Sequence, residues 1–275
     1  VDIDVRGPEW SQDFLLCADR HYDNPDSDLE LQRKHLQEAV DRRAGVLDFG
    51  DFICGMQGKY DKRSSKSKLR DADKTPAYLD SLVRNGVELI RPYAKNFVLI
   101  GRGNHETGIL KTHETDVSTR LVDLLNAECE TEVAAGGYSG FVRFQFHRGA
   151  TCMRSLSLYY HHGSGGGGIV TKGVIQSNRR AAHIDADIYV SGHVHESWVL
   201  EIPRTRLSAA NAIEHHESWH VQVPSYKEEY GDGDLGFHVE GGRPAKPVGA
   251  YWMRFYWRYR GGPEGPRVEF IKARN

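Results

Sequence analysis

The sequence predicts an α/β chain, on three observations. Short apolar runs recur, and each ends in glycine, aspartate, asparagine or histidine. Segments with helical spacing of apolar residues lie between them. The two kinds of segment alternate through most of the chain. The organising stretch is Asn96 to Glu106. Phe97-Val98-Leu99-Ile100 suits a buried strand, and Gly101 and Gly103 allow a sharp turn after it. That turn delivers Asn104, His105 and Glu106 together, and an amide, an imidazole and a carboxylate at the end of a buried strand point to chemistry more than to packing.

The elements follow in order. Phe14 to Ala18 is the first predicted strand, and it runs into Asp19-Arg20-His21. Asp19 and His21 are two apart, so both can reach one point at a strand end. Asp28 to Arg43 carries Leu29, Leu36, Ala39 and Val40 at helical spacing, with Asp28 as N-cap. Val46 to Asp51 is the second strand, ending in Gly50-Asp51. Lys59 to Lys74 is dense in charge and reads as a solvated loop, with a phosphate-attracting lid as the alternative. Pro76 to Pro92 is helical, with Pro76 suited to the first turn. After the strand at Phe97, Thr115 to Glu128 is a helix that buries Val117, Leu121, Leu124 and Leu125.

Phe141 to Phe146 alternates like a half-exposed strand. Leu156 to Gly163 is a further strand, with His161 and His162 near its end, and it opens into Ser164 followed by four glycines. That run either presents backbone N–H groups to an anion or serves as a hinge. Thr171 to His183 reads as a helix, and Ile188-Tyr189-Val190 leads into Ser191-Gly192-His193-Val194-His195. Beyond residue 197 the chain turns strand-rich: Ser197–Pro203, Trp219–Val223, Gly249–Arg260 and Arg267–Lys272 look extended, with Arg204 to Ser218 a loop. In Gly249–Arg260, Tyr251, Met253, Phe255, Trp257 and Tyr259 form a core face. Trp252, Arg254, Tyr256, Arg258 and Arg260 form the other, either a stacking surface for bases or a face covered by a helix. One domain over 1–275 is expected.

Bulk properties narrow the function classes. A net charge of −2 gives no overall field toward nucleic acid or membrane. No apolar run approaches a membrane span of about 20 residues. Val1 to Arg6 has neither the basic nor the apolar region of a signal peptide. Cys17, Cys54, Cys129 and Cys152 are scattered without a Cys-x-x-Cys, so a cytoplasmic protein with reduced thiols is expected. His35, His113, His147, His183, His215 and His238 read as surface or packing residues.

Five strand ends carry metal-ligand chemistry: Asp19 and His21; Asp51; Asn104; His161 or His162; His193 and His195. In α/β folds, sites assemble beyond the carboxyl ends of strands. Two carboxylates, one amide and four imidazoles exceed the needs of one ion and suit two divalent ions such as Mn, Fe or Zn, with Mn favoured. The absence of thiolate argues against structural zinc.

The ordered series Asp-x-His, Gly-Asp, Gly-Asn-His-Glu, His-Gly and Gly-His-x-His resembles the calcineurin-like metallophosphoesterase superfamily over roughly Phe14 to Glu196. The resemblance implies a four-layer α/β sandwich of two mixed β-sheets flanked by helices. It implies a dinuclear centre, with Asp19, His21 and His195 on one metal, Asn104, His193 and one of the histidine pair on the other, and Asp51 bridging. The family's ligand sits next to a glycine, which favours His162 over His161. His105 would stand by the scissile phosphate as proton or hydrogen-bond donor. In-line attack by a hydroxide bridging the metals is the implied mechanism, on a phosphodiester or phosphomonoester, as in bacterial or phage members of unassigned substrate.

The chain departs from the family in places. Ala18 stands where glycine is common. Phe52-Ile53-Cys54-Gly55 lacks the Asp-Arg pair of protein phosphatases. Glu106 stands where the repair nucleases carry Asp, which does not favour a nuclease; a nuclease acting on DNA or RNA stays the alternative, and nucleic acid stays open as a partner. Two further readings compete. His216-Glu217-Ser218-Trp219-His220 matches the zinc-protease pattern, but a strand there would set the histidines ~13 Å apart. A non-catalytic scaffold would have lost ligands, whereas every ligand position is filled.

Overall fold

A computed structural model describes residues 1–7, 9–55, 69–230, 237–258 and 264–273, with Phe237 and His238 described in backbone only. Twelve strands form two mixed six-stranded sheets among these residues. The strands are β1 (Asp2–Asp4), β2 (Ser11–Cys17), β3 (Gly45–Asp48), β4 (Phe97–Ile100), β5 (Ala134–Ala135), β6 (Ser139–Arg148), β7 (Thr151–His161), β8 (Ile188–Ser191), β9 (Trp198–Leu207), β10 (Ile213–Gln222), β11 (Ala250–Arg258) and β12 (Gly265–Ala273). The helices are α1 (Leu29–Asp41), α2 (Tyr78–Ile90), α3 (Asn104–His113), α4 (Val117–Cys129), α5 (Val174–Ala181) and a short α6 (Phe237–Glu240).

One sheet runs β12-β11-β2-β3-β4-β5 and the other β1-β6-β7-β8-β10-β9. In the first, β2, β3, β4 and β5 are mutually parallel, while β11 and β12 pair antiparallel. Strands β2, β3 and β4 therefore all end on one side, and β7 runs parallel to β8 in the other sheet. That shared direction delivers the motif ends to one edge of the molecule.

Alternation decides which side chain enters which layer. Phe14, Leu16, Leu47, Phe49 and Leu99 point between the sheets, against Phe144, Phe146, Leu158, Ile188 and Val190. Leu15, Cys17 and Val46 point the other way, against Leu36, Leu82, Val87, Leu121 and Leu125 of the helices. A small third cluster of Tyr159, Ala186 and Tyr189, with Ala181 packed on it, lies on the outer face of the second sheet. The layers are helices, sheet, sheet, helix. Caps fit the sequence: Asp28 accepts from the Leu31 N–H at 2.8 Å, and Asp116 from that of Thr119 at 3.1 Å.

Several elements depart from expectation. Pro76 precedes helix α2, whose N-cap is Ala77. Arg204 to Ser218 is not a loop; most of it lies in the antiparallel hairpin of β9 and β10. Residues 104–113 form a helix, where the glycines around Arg102 predict only a turn. The second face of β11 is covered in its first half, with the Arg42 guanidinium 4.5 Å from the Trp252 ring and Arg254 paired with Asp13, so Trp252 offers no stacking surface. Tyr259 and Arg260 lie outside the described residues, as does 59–68 of the charged loop. The part described at 69–74 is tied down: Arg70 donates to the carbonyls of Tyr22, Asn24 and Ser27. No described helix is long and apolar enough to cross a membrane.

Candidate metal centre

The strand ends meet. Asp19 and His21 follow β2, Asp51 follows β3, Asn104 opens α3 just after β4, His162 follows β7, and His193 and His195 follow β8. Asp19 Oδ1 lies 3.4 Å from His195 Nε2 and 3.9 Å from both His21 Nε2 and His162 Nε2. Asp51 Oδ2 lies 3.2 Å from His162 Nε2. Asn104 Oδ1 lies 2.6 Å from His193 Nδ1 and 3.2 Å from His162 Nε2. Two ligand groups stand out, Asp19-His21-His195 and Asp51-His162-His193. All seven candidate side chains thus form one connected cluster, and donors bound to one ion at ~2.1 Å sit roughly 3 Å apart.

Two observations test whether a cation fits. Asp19 Oδ1 is buried and accepts no hydrogen bond among the described residues, although three imidazole nitrogens face it. Burying such an oxygen without a partner costs several kcal/mol, on the order of the penalty for any unpaired polar group. The second concerns His162. Its Nδ1 lies 3.0 Å from the Phe49 carbonyl, which can only accept, so that nitrogen carries the hydrogen. The lone pair on Nε2 then confronts two oxygens, on Asn104 and Asp51. A proton or a metal ion at that spot resolves the conflict. Burial pulls the His162 ring down, but the charge and hydrogen bond of Asp51 and the charge of Asp19 outweigh it, and its proton is held up to about 10. Asp51 is the converse: burial raises it, yet the neighbouring histidines His162 and His105 hold it well below the usual carboxylate range. The donor set fits divalent cations, and the Nδ1–H to carbonyl bond of His162 is the support that metal-bound imidazoles commonly have.

Backbone strain collects here. Asp19, His21, Asp51, His193 and His195 have φ between 44° and 72°, in the left-handed region. Asp and His tolerate it better than bulky residues, but it still costs of order 1–3 kcal/mol each and persists where the surroundings dictate it.

His105 stands beside the cluster. Its N–H donates to Asp51 Oδ1 at 2.9 Å, and its Nδ1 lies 2.6 Å from the Cys54 carbonyl, so Nδ1 carries a hydrogen. Nε2 lies 3.9 Å from Asp51 Oδ2. With Nδ1–H committed to the carbonyl, donation from Nε2 requires the doubly protonated ring. His161 points elsewhere: it is half-buried, and its Nδ1 accepts from the Gly163 N–H at 3.0 Å. His162 is the member of the pair inside the cluster.

Glu106 corrects the first impression of the turn. It does not face the cavity. Its oxygens accept the backbone N–H groups of Asp51, Ile53 and Gly103 at 3.2, 2.9 and 2.9 Å. It closes a capping box at the start of α3 and braces the Asp51 loop against that helix. Burial, and then the charge of Asp51, push it up to about 8. The capping half of this role is local, a glutamate three residues into a helix that begins at a glycine; the bond to the Asp51 loop is long-range and leaves no such spacing.

The cavity over the cluster holds about 610 Å³ and is lined by His21, Asp51, Cys54, Asn104, His105, Gly165–167, His193, Val194, His195, Lys227, Glu229, Arg243 and Lys246. Sequence reasoning missed its rim, where Lys227 pairs with Glu229 and Lys246 with Glu196. It also missed Arg20, fully buried beneath the site, whose Nε donates to Asp48 at 2.6 Å. The zinc-protease pattern has no site: His216, Glu217 and His220 lie on strand β10, where His216 is exposed while His220 is buried against Ser177 and stacked on Tyr189.

No family model and no curated protein matches the chain. Among solved structures, Vacuolar Protein Sorting 29 from Cryptosporidium parvum aligns at 14% identity and TM-score 0.41, over 96% of this chain and 100% of that one. GAP50, described as the anchor in the inner membrane complex of Plasmodium, aligns at 11% and 0.42, over 95% and 84%. The calcineurin-like phosphoesterase YfkN from Bacillus subtilis aligns at 12% and 0.36, over 95% and 90%. At such identities and TM-scores the matches carry no functional argument, and the reading of the centre rests on its geometry.

Proposed function

We propose that this chain is a metal-dependent phosphate-ester hydrolase of the calcineurin-like metallophosphoesterase type. The carrying observation is the cluster itself: a buried aspartate oxygen with no donor among the described residues, faced by three imidazoles, inside a set of seven oxygen and nitrogen ligands under an open cavity. Asp19, His21 and His195 would hold one divalent cation, Asn104, His162 and His193 the other, with Asp51 shared. The mixed set of three oxygen and four nitrogen ligands suits Mn, Fe or Zn, and Mn is the ion we favour. When bound, two such ions supply Lewis acidity that activates water and offsets charge on a phosphoryl group.

The chain's own residues do the rest. Glu106 fixes the Asp51 loop, and the Phe49 carbonyl fixes the ring of His162. Nδ1 of His105 is anchored on the Cys54 carbonyl, which aims Nε2 into the cavity as donor to a phosphate oxygen or to the leaving group. Phosphodiesters and phosphomonoesters are both in reach of this chemistry. Hydrolysis of bis-p-nitrophenyl phosphate and p-nitrophenyl phosphate, with Mn added and with chelator, is the test. Mn-dependent turnover, abolished by chelator and by Asp51→Asn, is expected; turnover indifferent to both would end the reading.

A further inference from the structure

Cys54 lines the cavity, and nothing in the proposed hydrolysis uses its thiol. Its Sγ, one ring nitrogen of His21 and one of His105 all lie within 4.8 Å of one another. The two rings meet edge to face, with centroids 4.8 Å apart. His21 is buried, and its Nδ1 has no hydrogen-bond partner among the described residues. The thiol itself is engaged only weakly, by Asn24 Nδ2 at 3.5 Å. One sulfur and two imidazoles at this spacing are a ligand set of different character from the neighbouring centre, which contains no sulfur.

We propose that Cys54, His21 and His105 form an alternative cation site that shares His21 with the hydrolytic centre, selective for thiophilic divalent ions such as Zn²⁺ or Cd²⁺, whose occupancy blocks that centre. Soft thiolate favours these ions, whereas Mn²⁺ prefers the carboxylate oxygens that the sulfur-free cluster beside it supplies. Binding forms a sulfur–metal bond and releases the thiol proton to solvent, with no change of oxidation state. Burial pushes the Cys54 thiol up from its ordinary value, so binding draws off a proton that the free protein holds. Blockade follows because His21 and His105 are also needed by the centre. That consequence, though not the site, rests on the hydrolase reading.

The test is titration of Cd²⁺ or Co²⁺ into the Mn-loaded full chain, read by sulfur-to-metal charge-transfer absorption. An ion exchanging into the Asp51 centre gives no such band, because no thiol is there. Wild type and a Cys129→Ser/Cys152→Ser double variant are expected to show the band, and Cys54→Ser and Cys54→Ala to lose it. In the hydrolysis assay, Zn²⁺ added to the Mn-loaded protein is expected to inhibit wild type at concentrations at least about tenfold lower than it inhibits Cys54→Ser, a tenfold change in affinity being worth ~1.4 kcal/mol. A band that survives in both Cys54 variants overturns the proposal. If no protein hydrolyses either ester, the hydrolase reading fails while the band still decides the site.

Discussion

Replacing Gly103 with alanine puts the interlock of the centre under direct strain. A Cβ at Gly103 would lie 2.1 Å from Asp51 Oδ1, 2.4 Å from Asp51 N and 2.6 Å from Asp51 Cγ. Contact distance is near 3.5 Å, so the carboxylate and its backbone must retreat by roughly 1 Å. Overpacking of that kind costs about 1–3 kcal/mol. The retreat also breaks the His105 N–H bond to Asp51 Oδ1 and loosens the Glu106 brace, for about 1–2 kcal/mol more. The total, about 2–5 kcal/mol, lowers Tm by roughly 4–20 °C in a chain of this size. Because the displaced group is Asp51, metal content should collapse as well. The control is Gly45→Ala, whose Cβ would meet the Phe14 ring at 2.7 Å and Val98 at 3.0 Å, far from any ligand. It should lower Tm and leave the metal in place. Thermal melts, with metal measured after dialysis against trace Mn, separate the two effects. A Gly103→Ala protein that melts like wild type and keeps its metal would refute the placement of Asp51.

Other perturbations follow from the same contacts. Glu106→Gln leaves one amide oxygen for three backbone N–H groups, so a loss of about 2–3 kcal/mol in denaturant titrations and weaker Mn binding are expected. Arg20→Met strands the buried Asp48 carboxylate, at about 3–5 kcal/mol; a Tm within ~2 °C of wild type would contradict this. His105→Ala should slow ester hydrolysis by about 10²–10⁴-fold while metal content holds, and full activity in that variant would remove the donor role. The proton on His162 ties metal to pH. Its folded pKa, about 10, exceeds the ordinary 6.5, so in metal-free protein its stabilisation is complete below 6.5 and disappears as pH rises through 10. A cation taking Nε2 must displace that proton, so Mn affinity should climb about tenfold per pH unit across the same window. Calorimetry in buffers of different ionisation enthalpy reads the released proton directly; no release below pH 8 would place another ligand there.

Much of the fold was legible because it is written in periodicity. Phe97-Val98-Leu99-Ile100 is a strand with the predicted bounds, and the helix at Asp28 starts on the predicted cap. Helix α3 was illegible because its inward residues are Glu106 and Ile109, one of them a carboxylate, and Gly108 interrupts it. The hairpin of β9 and β10 was illegible for a related reason: from Arg204 onward it is largely exposed on both faces, so no alternation of burial marks it. At the centre, residue types and spacing named the cluster, since each ligand lies within a few residues of its strand. The bracing groups escaped because their work is long-range: Glu106 reaches the loop of Asp51, and Arg20 the carboxylate of Asp48. Single-sequence spacing carries no record of such contacts.

The glycines in the motifs now have a physical cause. Gly103, before Asn104, vacates the space that the Asp51 carboxylate fills, and Gly192, before His193, leaves room where a Cβ would meet Asp19 Oδ2 and the Ala18 methyl, both at 2.6 Å. Each carboxylate thus sits in the gap of a glycine from another motif, on a different strand. Neither motif can close correctly without the other, which couples the β2 and β3 ends to the β4 and β8 ends. The five left-handed ligand residues and the orphaned Asp19 oxygen act against folding in the free protein. Under the proposed metal-binding role, a cation would offset those penalties only when all the strand ends are assembled. Metal affinity and fold stability should therefore fail together at the motif glycines and separately at remote ones, which is why Gly103 and Gly45 make the informative pair.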